Sequence, residues 1–241
     1  MKNILIPTTF LPDTANALKN AISHANGADC NVILFQLIDA EQNYSASATL
    51  RCMQNELSPS QKENLELCRY IIETEKNCHL KIHTQYSLSA PLLKNVMESL
   101  SIDLVILSDS FKNSQTSINK YCTKLLSNCK YPILHVGKAK ENIEFSKALY
   151  LENHQSQMQV EDLQQLVNMN FNFRIVSSAK VLDGQDSNEL IPLLTETISK
   201  NNIDLLVETR KPEKIKFSKK QKTSYKENFD LPVLSLYEKI M

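Results

Sequence analysis

The stretch Ile102-Asp103-Leu104-Val105-Ile106-Leu107 begins with three residues that recur 101 positions later as Ile203-Asp204-Leu205. Its last four residues are all apolar, which is typical of a parallel strand that is covered on both faces. The same offset relates Pro91-Leu92-Leu93 to Pro192-Leu193-Leu194, and Tyr131-Pro132-Ile133-Leu134 recurs one residue out of step as Leu231-Pro232-Val233-Leu234. Three matches in the same order predict an internal repeat.

Around this repeat, predicted strands alternate with amphipathic helices. The first helix is predicted to begin at Asp13 and to end at Gly27 in a left-handed cap, and the capping residues Ser58 and Ser89 begin two more. Because parallel strands need crossover connections, this alternation predicts parallel βαβ units. Residues 79–86 alternate polar with apolar side chains, which is typical of an edge strand. The predicted strands of the first copy are residues 3–8, 31–38, 79–86, 103–107 and 132–136.

The composition excludes several classes of function. Only three of the 241 residues are glycine, and no two lie closer than 47 positions, so neither a Walker A loop nor a G-x-G-x-x-G fingerprint is present. Lys plus Arg and Asp plus Glu each number 27, so no net charge recruits nucleic acid or an anionic membrane. No segment approaches the roughly 18 apolar residues of a membrane helix. We expect a cytoplasmic protein with no nucleic-acid and no membrane partner.

The cysteines do not form a motif. All six precede residue 130 and no two have the C-x-x-C spacing, so we interpret them as small apolar core groups in a reducing compartment. Cys78 and His79 are adjacent and point to opposite sides of a strand, so these two residues and His83 are not expected to bind a metal.

The opening of the chain resembles the universal stress proteins. The resemblance lies in residues 2–10, KNILIPTTF, in Asn16-Ala17-Leu18 of the first helix, and in residues 102–107 and 131–136 as that family's last two strands. It implies an α/β fold of two tandem open parallel-sheet domains with strand order 3-2-1-4-5. The first domain is expected over residues 1–138. The second, over residues 146–241, is expected to be degenerate and shortened, with fewer strands.

The resemblance also allows a test for nucleotide binding. Nucleotide-binding members carry an aspartate after the first strand and, after the fourth, Gly-x-x-Gly, nine residues, then Gly-Ser or Gly-Thr. Here Thr9 stands at the aspartate, and Ser108 and Phe111 stand at the first two glycines. The last pair falls at Tyr121-Cys122 counted forwards or at Asn119-Lys120 counted back from the fifth strand. Without glycine, a side chain fills the space through which a phosphate approaches backbone N–H groups. We therefore expect the nucleotide function to be lost and no cofactor to be bound.

Polar residues after the fourth strand are the best-placed ligand candidates, since ligands in open α/β sheets bind at the carboxyl ends of strands. A solvated loop is nevertheless the favoured interpretation, because no histidine lies nearby in sequence to act as a base. Asp103 and Asp204 begin a strand after a helix, where a structural role is favoured over a catalytic one. The candidate ligand-binding residues are Thr9, Ser108, Asp109, Ser110, Asn119 and Lys120.

A basic segment over residues 210–226 contains eight Lys or Arg residues and one acid, Glu213. A solvated, partly disordered loop is the favoured interpretation. The alternative is an arm that recruits an anionic partner, with Lys219, Lys220 and Lys222 as candidate anion-binding residues.

The missing glycines predict a non-enzymatic binding or regulatory module that lacks the glycine-rich nucleotide loop, and the resemblance to universal stress proteins implies that it acts in a stress response. The alternative is an ATP- or AMP-binding member with an altered phosphate loop. A protein or small molecule of unknown identity is the expected partner. Because family members dimerise along the fifth strand, the resemblance implies an intramolecular pseudo-dimer, with a homodimer as the further assembly to test.

Overall fold

The computed structural model describes residues 1–38, 57–137, 144–153, 160–181, 187–211 and 229–238. The chain divides into two compact units, Met1–Cys129 and Lys130–Met241. Both units are α/β, as the sequence predicts. No helix of the described ranges is both long and apolar enough to cross a bilayer.

The first unit is a parallel sheet with its strands in the order β3-β2-β1-β4. Its register pairs Lys2 with Cys30, Cys30 with Cys78 and Ile4 with Leu104. The predicted edge position of the third strand is confirmed within the described residues. The elements are β1 Lys2–Thr8, α1 Asp13–Ala25, β2 Cys30–Leu37, α2 Pro59–Glu73, β3 Cys78–Gln85, α3 Ala90–Ser99, β4 Leu104–Ser108, α4 Asp109–Lys112 and α5 Ser117–Ser127.

Local sequence signals set the ends of these helices. At the start of α2, the Ser58 hydroxyl accepts from the Gln61 N–H at 3.3 Å, and the Gln61 side chain accepts from the Ser58 N–H at 2.9 Å. This reciprocal pair satisfies two helix-end donors and confirms the predicted cap. Ser89 caps α3 with a single bond, because its hydroxyl accepts from the Leu92 N–H. The left-handed conformation predicted at Gly27 is confirmed, with φ 76°, and it begins one residue earlier at the C-cap Asn26, with φ 50°, because asparagine also tolerates it.

The core of the first unit lies in its central strands. Residues 4–6 of β1, 32–35 of β2 and 104–107 of β4 are buried on both sides of the sheet. Burial on both faces explains why these strands are nearly continuous apolar runs rather than alternating ones.

The second unit has its strands in the order β5-β9-β8-β6-β7. Strands β8, β6 and β7 pair in parallel and β9 pairs in parallel with β8, whereas β5 pairs with β9 in the antiparallel sense, with Leu134 opposite Leu234. The predicted proximity of these two strands is confirmed. The elements are β5 Ile133–Val136, β6 Lys147–Asn153, α6 Val160–Asn170, β7 Arg174–Val181, α7 Ser187–Asn201, β8 Leu205–Arg210 and β9 Val233–Tyr237.

The sequence repeat has a counterpart in local geometry. Ser101 and Asn202 follow α3 and α7 with left-handed φ angles of 48° and 51°. The next residue, Ile102 or Ile203, donates its N–H to the carbonyl five residues back at 3.0 Å in each copy. This bond closes the helix end in a Schellman arrangement. Both copies thus end a helix and enter a buried strand in the same way.

The recurring aspartates complete this arrangement. The Asp103 carboxylate accepts from the Asn3 N–H at 2.8 Å, at the start of β1. The Asp204 carboxylate accepts from the Ser146 and Lys147 N–H groups at 2.9 and 3.1 Å, at the start of β6. Each aspartate therefore satisfies an amide at the start of the neighbouring strand, in agreement with the predicted structural role.

Candidate functional site

The carboxyl ends of β1 and β4 lie side by side because these strands pair directly. This places three candidate hydroxyl groups together. The Ser110 Oγ lies 3.4 Å from the Thr9 Oγ1 and 3.3 Å from the Ser108 Oγ. Ser108 is buried, while Thr9 and Ser110 are partly exposed. The structure thus brings together three of the six ligand candidates.

A fourth residue, Asp13, binds this hydroxyl cluster from the first turn of α1. Its carboxylate accepts from the Ser110 N–H at 2.8 Å and from the Ser110 Oγ at 2.6 Å. Hydrogen bonds to a charged acceptor are shorter and stronger than neutral ones, and the 2.6 Å separation fits this class. Asp13 therefore connects the loop after β1 to the loop after β4.

The carboxylate also fixes the direction of the other hydrogen bonds. A serine hydroxyl has one hydrogen and two lone pairs, and a carboxylate can only accept. Because Ser110 gives its hydrogen to Asp13, its oxygen accepts from the hydroxyls of Thr9 and Ser108. All three hydroxyl hydrogens are therefore used inside the cluster, two at the Ser110 oxygen and one at the Asp13 carboxylate, and none of them is directed outwards to a ligand.

The loop after β1 is held from a second side by α2. The Gln61 side chain donates to the Thr9 carbonyl at 2.9 Å, and the Asn64 side chain donates to the Phe10 carbonyl at 3.2 Å. Phe10 has φ 56° and is buried, and its N–H donates to the Thr8 hydroxyl at 2.8 Å. These bonds fix the loop in a conformation that a non-glycine residue rarely adopts.

The residues at the first two glycine positions are enclosed. Ser108 is 1% exposed and Phe111 is fully buried, so the Phe111 side chain is part of the core of the first unit. Asp109 pairs with Lys112 across one turn of α4, with its Oδ1 2.5 Å from the Nζ. This pair neutralises the charge of Asp109 locally and leaves Asp13 as the charge of the hydroxyl cluster.

Asn119 and Lys120 lie apart from that cluster in their hydrogen bonding. The Asn119 amide donates to the Ser114 Oγ at 3.0 Å, and its Oδ1 is buried without a hydrogen-bond partner among the described residues. The Lys120 Nζ donates to the Gln115 Oε1 at 3.1 Å. Both side chains are thus bonded to the connection between α4 and α5.

In the second unit, the side chains at the end of β8 bond to other residues of the same unit. Arg210 donates its guanidinium N–H groups to the carbonyls of Tyr131 and Ser235. Thr209 is buried, with its Oγ1 3.5 Å from the Tyr150 Oη. Arg210 therefore connects three parts of its own unit. The candidate residues Lys219, Lys220 and Lys222 lie outside the described residues.

Comparison with solved structures identifies this architecture. A universal stress protein from Archaeoglobus fulgidus superposes with a TM-score of 0.56 over 98% of this chain and 96% of its own, at 8% sequence identity. The fold is that of universal stress proteins. A functionally unknown protein from Pseudomonas aeruginosa matches the same fold with a TM-score of 0.50 and 11% identity, over 98% of this chain and 92% of its own. No protein-family model and no curated protein matches the sequence.

Within this universal stress protein fold, sequence reasoning missed Asp13 as a site residue. The signal was present, because Asp13 follows β1 within the first turn of a helix and Ser110 follows β4. With the order 3-2-1-4-5, these two strands are neighbours, so their loops meet at one edge. An acid on one loop and hydroxyls on the other then predict a hydrogen bond between the loops.

Proposed function

We propose that this protein is a non-catalytic, universal stress protein-like binding or regulatory module in a stress response, with its nucleotide cleft closed. The observation that carries the proposal is the double hydrogen bond from Ser110 to Asp13. These donors follow β4, where nucleotide-binding members of the family hold phosphates. In this chain an internal carboxylate accepts from them.

The negative charge of Asp13 also disfavours a bound phosphate. A phosphate oxygen placed about 4 Å from the Asp13 carboxylate would be repelled by about 4 kcal/mol per unit charge at an effective dielectric constant of about 20. The missing glycines act in the same direction, because a side chain such as Phe111 stands where a phosphate loop needs open backbone. Both effects support a function without ATP or AMP.

The remaining parts of the proposal concern assembly and location. Pairing of β5 with β9 supports an intramolecular pseudo-dimer, and the matching helix ends after α3 and α7 support tandem domains over residues 1–138 and 146–241. We place the protein in the cytoplasm because its cysteines suit a reducing compartment. Its partner is a protein or a small molecule, and a homodimer is a further possible assembly.

Isothermal titration of the full chain with ATP and Mg²⁺ tests this function. We expect no binding tighter than about 1 mM, where the binding free energy is only about −4.1 kcal/mol. The titration is repeated with AMP and with Asp13→Asn, which removes the negative charge from the cluster. The exposed Asp29→Asn is the matched control. A micromolar dissociation constant for the unaltered chain would establish the nucleotide-binding alternative and reject the proposal.

A further inference from the structure

Two cysteines face each other at the amino ends of β2 and β3. Cys30 and Cys78 are the first residues of these strands and are register partners in the parallel pairing. Register partners on neighbouring strands have their side chains on the same face of the sheet, and neighbouring strands lie about 4.8 Å apart. That spacing falls inside the range of about 4.4–6.8 Å between Cα atoms that a disulfide spans.

Both residues are free thiols, and the strand register places them side by side. The other described cysteines differ in this respect, because the sheet register aligns none of them with a second cysteine.

We infer that Cys30 and Cys78 form a reversible intramolecular disulfide when a low-molecular-weight disulfide oxidises them. The bond would tie the edge strand β3 covalently to β2. This property is independent of the proposed loss of nucleotide binding, since the pair lies at the opposite ends of the strands from the Asp13 cluster.

The reaction begins at Cys78, which is 8% exposed, whereas Cys30 is fully buried. The Cys78 sulfur attacks one sulfur of the small disulfide, a mixed disulfide forms, and one small thiol leaves. The Cys30 sulfur then attacks the Cys78 sulfur, the protein disulfide forms, and the second small thiol leaves. Two electrons pass from the protein to the oxidant, and the two thiol protons leave on the released thiols.

The surroundings of Cys30 and Cys78 make oxidation of the pair slow. Burial raises the pKa of Cys30 to about 12 and raises the pKa of Cys78, and the Glu75 carboxylate adds to the effect on Cys78. Lys2 opposes the shift at Cys30. Since the thiolate is the nucleophile in exchange, both thiols react slowly at neutral pH. The pair thus responds to sustained oxidation rather than to a brief pulse.

Peptide mapping of the full chain tests the inference. The protein is incubated with oxidised glutathione, free thiols are blocked with N-ethylmaleimide, and tryptic peptides are analysed by mass spectrometry. We expect residues 20–51 and 77–81 to be recovered as one linked species that dithiothreitol separates. Recovery of both peptides alkylated would overturn the inference, as would a stable glutathione adduct at Cys78 without closure or a bridge between other cysteines.

Thermal unfolding gives a second measurement. A bond that closes the chain between residues 30 and 78 restricts the unfolded state, so oxidation should raise the melting temperature by roughly 5 °C or more. Cys78→Ser should abolish the rise, and the control Cys68→Ala, which removes a buried thiol elsewhere in the same unit, should retain it. A rise of equal size in Cys78→Ser would contradict the assignment. Should Cys78→Ser fail to fold, the peptide map of the unaltered chain still decides.

Discussion

Removing the Asp13 carboxylate should destabilise the first unit measurably. The variant Asp13→Ala loses two hydrogen bonds from Ser110 to a charged acceptor, each with a net contribution of about 1.5–3 kcal/mol when buried. Asp13 is partly exposed, so the lower end of that range applies to each bond. The carboxylate also stands in the first turn of α1, where a negative charge contributes about 0.3–1 kcal/mol. We expect a loss of about 3–4 kcal/mol in the free energy of unfolding.

The assay is urea unfolding followed by far-ultraviolet circular dichroism, since the chain has no tryptophan to report by fluorescence. Asp13→Asn keeps an oxygen that accepts from the Ser110 N–H and should lose about half as much as Asp13→Ala. Asp29→Ala is the control, because an exposed side chain away from such contacts changes stability by about 0.5 kcal/mol or less. If Asp13→Ala is as stable as Asp29→Ala, the carboxylate does not join the two loops as described.

Three further predictions follow from other contacts. Burial, with Lys2 nearby, lowers the pKa of His24 to about 4. Between about pH 6.5 and 4 the folded state therefore binds fewer protons than the unfolded state, so the free energy of unfolding should fall by roughly 1–3 kcal/mol as the pH is lowered through that window. Urea titrations at both ends of the window should show a weaker fall in His24→Gln, and an equal fall would contradict this cause. Asp103→Ala and Asp204→Ala should each cost about 1 kcal/mol by the same assay, whereas a neutral result for both would contradict their role at the strand starts. Replacing three lysines of the basic segment with glutamine should change neither the melting temperature nor retention on a phosphate-bearing matrix, and loss of salt-sensitive retention would instead support the anion-binding arm. These lysines are Lys219, Lys220 and Lys222.

The parts of the fold that sequence predicts well are those that local chemistry determines. The cap at Ser58 depends on a glutamine three residues later, and the strand β4 is indicated by the apolar run of residues 104–107. Both signals lie within a few residues of the structure they form. The end of α1 has the same origin, because Asn26 and Gly27 are adjacent residues that both tolerate a positive φ, and both adopt one.

The candidate site was harder to predict because its contacts join distant residues. Asp13 and Ser110 are 97 positions apart, and only the pairing of β1 with β4 brings them together. Positions transferred from a family motif depend on loop length as well. Asn119 and Lys120 were reached by counting through a loop shorter than the motif, and their side chains bond to Ser114 and Gln115. Counting residues along the chain therefore locates a site less reliably than asking which residues follow the carboxyl ends of neighbouring strands.

The pairing of β5 with β9 has an evolutionary consequence. Its register places Leu134 opposite Leu234, Ile133 opposite Ser235 and His135 opposite Val233, so positions related by the sequence repeat exchange places about a local two-fold axis. In a homodimer, every substitution at such a strand pair occurs twice, at two positions related by the two-fold axis, and both copies must fit. In a single chain each strand mutates alone. His135 of β5 and Ser235 of β9 occupy repeat-related positions and already differ, so each strand can change without a matching change in the other.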